Sequence, residues 1–546
     1  MRRRAARSRE RGTVSGAAPT LPRPAPVRQP SGHGPAPLRA SLQGQPPEAL
    51  CSVANDVLSS APLNGTARFP GARERQDRSA TTANDGRDGP RVNSHPPTPR
   101  ARGALSRRNL LRGGLAAGGL GAVAATSGCG SPLAAGLAGT QLNPGTVTFW
   151  NLFGGGDGAR LQLMLDEYRR QQGSTESLQA ATFAWGNPYY TKVSLATLGN
   201  KPPDVAVAHL TRASNLAAAG LLAPITDDVL ALAGLASSDF NERAWEASKF
   251  EGQAYAIPLD THPWVLFFNA DVCQAAGLLG PDGELAPIEG LEAWEAALTA
   301  GKEASGGFGA TTATVADDSN NWRFFNTVYS QREGNTPLID DEGLSVTMND
   351  ELAVDTLATM RSWVEKGLMP ATVDTPGAET LMFTGKSAFF MNGEWEVTTA
   401  QSIEGLNFGM TAFPTLFDRP AAHADSHAFV LPRMERDDAQ LERAMGFVKS
   451  LLDQGMTWAE GGHIPTYLPT FESSEYQQLE PMSNYADAAS YASYDPPAWY
   501  SGSGSNFETV TGATIGLVQQ GLTKPADAVA GIRAALENYA KTANPL

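Results

Sequence analysis

Sustained hydrophobic patterning begins only near residue 146 of this 546-residue chain. Thr146-Val-Thr-Phe-Trp150 is β-branched and aromatic, which predicts a first strand. Asn151–Gly156 is glycine-rich and predicts a loop. Apolar residues at Leu161, Leu163, Met164, Leu165 and Tyr168 follow helical spacing, so a helix is expected over Gly158–Gln172 with Asp157 as its N-cap. Asp204–Ala208 reads as the next strand, and Ala213–Gly220 as a short helix ending on glycine. Ala254–Pro258 and Trp264–Asn269 read as strands on either side of a polar knot, Leu259–Pro263. Helical periodicity returns over Asp350–Lys366, Asp437–Leu452, Glu508–Gln520 and Ala526–Thr542. Strands alternating with helices over this length predict α/β domains with parallel sheets, and more than one of them. No repeat of fixed period is present.

Composition shows that the region before residue 146 is a different kind of chain. Residues 1–105 are rich in Pro, Arg, Ala, Gly and Ser without apolar periodicity, so they are expected to be disordered, or untranslated if synthesis starts at Val92. Through Gly128 there are 20 basic residues, all Arg, against 7 acidic ones, a net +13. From Cys129 onward 22 basic residues face 50 acidic ones, a net −28. A working part this acidic lacks the clustered cations that neutralise phosphates, which excludes nucleic acid as the expected partner. Three cysteines, Cys51, Cys129 and Cys273, supply neither a disulfide framework nor a zinc finger.

Residues 106–128 carry a targeting signal. Arg107-Arg108 open a basic segment, and thirteen uncharged residues, Gly113–Ala125, follow. That run suits a signal-peptide core and is short of the ~20 residues of a membrane span. Thr126-Ser127-Gly128-Cys129 resembles a lipobox, and the paired arginines resemble the Tat export signal. A lipidated Cys129 is therefore expected at the mature N-terminus, with residues 129–144 as a tether.

The rest of the chain resembles the extracellular solute-binding proteins of ABC importers, in their sugar-binding group. The resemblance is carried by the Trp150-Asn151 strand end with its glycine loop, Asn187–Lys192, Lys201–Val205 and Gly220–Pro224. It continues through Gly252–Pro258 with Leu266–Asn269, Phe383–Trp395 and Gly461–Pro465. It implies a type II periplasmic-binding-protein-like α/β fold of two discontinuous lobes, 145–260 plus 414–484 and 261–413 plus 485–546. The chain would cross between them near Leu259–Trp264, Thr411–Phe417 and Tyr485–Pro497. Ligand would bind in the cleft and close it about a hinge. A monomer is implied, delivering its ligand to permease subunits, with no cofactor. His262-Pro263 in the crossover and the Tyr- and Ser-rich 483–506 insert depart from the family pattern.

Candidate chemistry follows from side-chain types. A cleft for sugar needs flat aromatic platforms beside planar polar groups. Trp264, Trp322, Trp395 and Trp499 fall among polar residues, whereas Trp245, Trp294, Trp363 and Trp458 lie in helix-like segments and read as core. Trp322 and Trp395 are the expected stacking residues. Asp157, His209, Arg212, Asp260, Asn321 and Glu394 are the expected hydrogen-bonding set, with His262, Arg323 and Asn392 beside them. Gly154-x-Gly156-x-x-Ala159 matches a dinucleotide fingerprint on paper, but its acidic partner is represented only by Glu176 in a polar turn, so a glycine turn facing a cleft is preferred. His423-x-Asp425-x-His427 offers three ligand types without an evident fourth, so no metal site is expected and a polar loop entering the strand Ala428–Leu431 is preferred. The acid pairs Asp317-Asp318, Asp340-Asp341 and Asp437-Asp438 read as turns or caps. The resulting expectation is a non-catalytic, membrane-tethered carbohydrate receptor. A glycan-processing enzyme using two carboxylates and an adhesive lipoprotein are the rival readings.

Overall fold

The computed structural model describes residues 145–315 and 319–544. The expected signal segment, Cys129, the tether and the Asp317-Asp318 pair lie outside these residues. Among the described residues no helix is long and apolar enough to cross a membrane.

In chain order the main strands are β1 (Val147–Asn151), β2 (Leu178–Thr182), β3 (Val205–His209), β4 (Ala256–Pro258) and β5 (Asp260–Asn269). They continue with β6 (Phe308–Thr311), β7 (Ser387–Gly393), β8 (Phe408–Ala412), β9 (Ala422–Asp425), β10 (His427–Val430), β11 (Ile464–Pro465) and β12 (Ala492–Ser493). The first sheet has the order β2-β1-β3-β10-β4. The second has the order β12-β9-β5-β7-β6, with β8 and β11 also pairing to β5.

Each sheet is the centre of one lobe, and both are mixed, which corrects the expectation of parallel sheets. In the first, β1 runs parallel to β2 and β3, while β10 pairs antiparallel with both β3 and β4. In the second, β6 and β7 are parallel but β5 is antiparallel to β7, β8, β9 and β11. The antiparallel members are largely the segments that bring the chain from one lobe into the other.

Helices pack where the apolar spacing places them. The first, α1 (Gly155–Gln172), starts two residues before Asp157, so Gly154 is its N-cap and Asp157 sits in the first turn. Leu161, Met164, Leu165 and Tyr168 form its buried stripe, and Gly173 ends it with φ 65°. Asp437 caps the helix Asp438–Leu452 by accepting from the Gln440 amide at 2.7 Å. In the second lobe β5 buries both faces. Trp264, Leu266 and Phe268 join one apolar cluster, and Val265 and Phe267 join the other, as strand alternation requires. Gly309 on β6 is needed because a Cβ there would lie 2.1 Å from the Leu298 carbonyl oxygen of the helix crossing it.

The lobe boundaries shift from those expected. The first passage lies between Pro258 and Asp260, and the polar knot is part of a strand, because β5 begins at Asp260. The second passage is Ser426, not Thr411–Phe417: β9 belongs to the second sheet and β10 to the first, with Ser426 alone between them. The third lies between Trp458, which is packed in the first-lobe core, and Tyr476, which packs with Val265 and Phe267, so Tyr485–Pro497 is not the crossing.

Candidate ligand-binding cleft

A cavity of about 340 Å³ opens between the two sheets, near the lower end of the ~300–1,000 Å³ typical of small-molecule sites. The first lobe contributes the loop after β1 (Leu152, Phe153, Gly154), Asp157 in the first turn of α1, and His209 at the carboxyl end of β3. It also contributes Trp185, in the loop after β2. The second lobe contributes His262, Arg323, Trp395 and Ser503. Residues 423, 425 and 427 face the cavity from the continuous β9–Ser426–β10 segment. That string was expected to be a loop. It is a strand pair, and its period of two presents His423, Asp425 and His427 to one side while Ala424 and Ser426 face the other.

Five of the expected residues line the cavity: Asp157, His209, His262, Arg323 and Trp395. The others do not. Trp322 belongs to the second-lobe core, because it lies in the first turn of the helix Asn320–Ser330 and shares the inward stripe of Phe325 and Tyr329. Its indole N–H donates to Asp495 at 2.8 Å. Trp264 is buried on β5 by the alternation that buries Leu266. Asn321 donates to the Val315 carbonyl and accepts from Gln519, both at 2.7 Å, inside the same lobe. Asn392 is buried on β7, accepting from the Gly393 amide at 2.8 Å. Trp499 packs against the second-lobe core, edge-on to Tyr500 and Tyr539. Arg212 is held over the Tyr190 ring at 4.3 Å and donates to Asn187 at 3.1 Å. Asp260 and Glu394 are fully buried behind the cleft wall.

Two indoles dominate the wall. The Arg323 guanidinium lies 5.3 Å from the Trp395 ring and 6.0 Å from the Trp185 ring, so the two lobes present aromatic faces to one cation. Trp185 was not anticipated, although it has the same signal as the others: an aromatic beside Gly and Asn after a strand. Asp425 is fixed by the Thr211 hydroxyl, the Ser426 amide at 2.8 Å and the Ser503 hydroxyl at 2.8 Å.

Behind the wall lies a buried polar cluster. Asp260 Oδ1 accepts from the His427 amide at 2.8 Å and meets His262 Nδ1 at 3.0 Å. Its Oδ2 meets His427 Nδ1 at 2.8 Å and accepts from the Trp458 indole at 2.6 Å. Burial alone would raise Asp260, but His427 and His463 hold its carboxyl well below the usual carboxylate range. Burial, then the charge of His427, pushes His262 down to about 3, and the same two causes hold His209 well below its ordinary value. These imidazoles are therefore neutral near pH 7 and serve as hydrogen-bonding groups. Burial pushes Glu394 up to about 8. His463 goes the other way: despite burial, Asp157 and Asp260 raise it well above the ordinary histidine range. His463 was quoted only as part of a family string, and nothing in its sequence neighbourhood marked it as a partner of Asp260.

The family description "bacterial extracellular solute-binding protein" matches residues 177–490, more than half of the chain. The chain belongs to that family. No curated protein sequence matches it. Among solved structures the solute-binding protein is similar to the GacH receptor of Streptomyces glaucescens, at 21% identity and TM-score 0.61, over 72% of this chain and 98% of that one. It is similar to the maltose-bound T. maritima MalE3 at 17% identity and TM-score 0.59, over 72% and 99% of the chains. The MalE of Xanthomonas citri gives 16% and 0.60, over 72% and 97%. At these identities the likeness establishes the fold: two α/β lobes of the periplasmic-binding-protein type.

Proposed function

We propose that this solute-binding protein is the receptor of an ABC importer for a carbohydrate, and that it binds its ligand without transforming it. The observation that carries this reading is the pair of indoles, Trp185 and Trp395, facing one cleft from opposite lobes. Sugars offer C–H faces to such rings and hydroxyl edges to groups like Asp157, His209, His262 and Arg323. Neighbouring structures support the ligand class, since the GacH receptor is described with acarbose and MalE3 with maltose. The small cavity favours a short saccharide. Two cleft carboxylates, Asp157 and Asp425, are already engaged with His463 and with Thr211, Ser426 and Ser503, so neither is poised as a free acid or nucleophile.

An oligosaccharide panel tests this reading. Binding by calorimetry with no product by chromatography is the expected result. Product formation would establish the glycan-processing alternative, and no binding across the panel would remove the sugar reading. Export and anchoring through a lipidated Cys129 complete the proposal. Cys129→Ser should shift the protein out of the membrane fraction.

A further inference from the structure

We propose that Asp260, His262, His427 and His463 form a binding site for one divalent transition-metal ion, with Zn²⁺ as the expected occupant, where the three interlobe passages meet. One ligand atom from each residue lies within 4.8 Å of the others, and all four residues are buried. Asp260 Oδ1 lies 3.0 Å from His262 Nδ1, and Oδ2 lies 2.8 Å from His427 Nδ1 and 3.6 Å from His463 Nδ1. Ligands at ~2.0–2.1 Å from a tetrahedral zinc are about 3.3 Å from one another, which these values bracket. Three imidazoles and one carboxylate suit Zn²⁺, Co²⁺ or Ni²⁺ and do not suit the all-oxygen preference of Ca²⁺ or Mg²⁺.

The surroundings supply a second, independent observation. His463 Nδ1 and both carboxylate oxygens of Glu394 are fully buried without an aligned hydrogen bond. His463 Nδ1 lies 2.9 Å from Glu394 Oε1. An ion bound to His463 Nδ1 would engage that nitrogen and bring a charge to face Glu394. The outer shell is already built in the manner of metal-bound histidines, whose second ring nitrogen donates to a carboxylate. His463 Nε2 lies 3.1 Å from Asp157 Oδ1. Trp458 donates to Asp260 Oδ2 at 2.6 Å, holding the carboxylate in place. His262 and His427 also line the cleft, which gives an ion its entry path. Each imidazole would bind through a deprotonated Nδ1, so a neutral ring carries its proton on Nε2 and a protonated ring releases one proton.

The site would pin the hinge. His262 lies just past the first passage, near the start of β5, His427 opens β10 directly after Ser426, and His463 directly precedes β11. The test uses untagged protein, stripped with chelator, dialysed, and titrated with Co²⁺ and then Zn²⁺. One equivalent of Co²⁺ should appear with the intense visible bands of four-coordination and be displaced by Zn²⁺. His427→Gln and His463→Gln should abolish that spectrum, and Asp157→Asn should weaken uptake about 10–100-fold. His423→Gln, in the separate His423, Asp495 and Glu508 group, should leave it intact. Absence of uptake by wild-type protein, a weak six-coordinate spectrum, or loss only with His423→Gln would each overturn the proposal. If either ligand variant fails to fold, the wild-type stoichiometry and spectrum decide alone.

Discussion

His463 Nε2 meets Asp157 Oδ1 at 3.1 Å, joining residues 306 apart in the chain. Asp157 belongs to the first helix of the first lobe, and His463 to the last passage between lobes. Asp157 also lines the cleft, so one carboxylate serves both the ligand and the hinge. Removing it takes away a charge-assisted hydrogen bond of the kind worth ~1.5–3 kcal/mol. Asp157→Ala should weaken saccharide binding roughly 10–100-fold, read by calorimetry. An unchanged Kd would take Asp157 out of the binding site.

The tryptophans separate by location. Trp185 is 45% exposed, so Trp185→Ala should cost little stability but should lower affinity markedly, as should Trp395→Ala. Trp322 and Trp264 are fully buried, and Trp322→Ala should cost ~3–5 kcal/mol while leaving affinity per folded molecule unchanged. Denaturant melts paired with titrations distinguish the two behaviours. A Trp322→Ala protein of normal stability and poor affinity would reverse the assignment.

Gly462 has φ +111°, and a Cβ there would lie 2.5 Å from the Glu394 carbonyl oxygen. Both the conformation and the contact exclude a side chain. Gly462→Ala should destabilise by about 1–3 kcal/mol in chemical denaturation. It should also push the loop after β7 away from His463. A variant as stable as wild type would mean that the loop yields freely.

Stability should depend on pH through Glu396. Burial, then the neighbouring Glu379, pushes its carboxyl from 4.5 up to about 7. The folded protein thus holds a proton that the unfolded chain releases, and the stabilisation is complete below about 4.5 and lost as pH rises through about 7. Glu396→Gln should therefore be more stable than wild type at pH 8, by up to about 3 kcal/mol, with the gap closing toward pH 4.5. Melting temperatures at pH 5 and pH 8 measure this. An equal gap at both pH values would show that Glu396 is not the titrating group.

How much was legible in the sequence depended on whether a residue's role was set locally. The buried stripe of α1 and the Asp437 cap follow from spacing and neighbours within one turn, and both were readable. Trp322 and Trp395 look alike in sequence, each beside polar residues. What separates them is that Trp322 starts a helix whose inner face is the second-lobe core, a tertiary fact. Asp260–Pro263 looked like a loop because its residues are polar. It is a strand because Asp260 accepts from His427 on β10 and from Trp458, 167 and 198 residues away, while His262 pairs with Asp425 on β9. His463 became meaningful only when the fold placed Asp157, Asp260 and Glu394 around it.

Ser426 has one further consequence. A single residue separates two strands that belong to different sheets, so the every-other-residue rhythm runs unbroken from His423 to His427. Length, as well as composition, is what this segment must preserve. Inserting or deleting one residue would reverse the side on which His427 emerges relative to His423 and Asp425, taking it out of the shared cleft wall while each sheet alone remained intact.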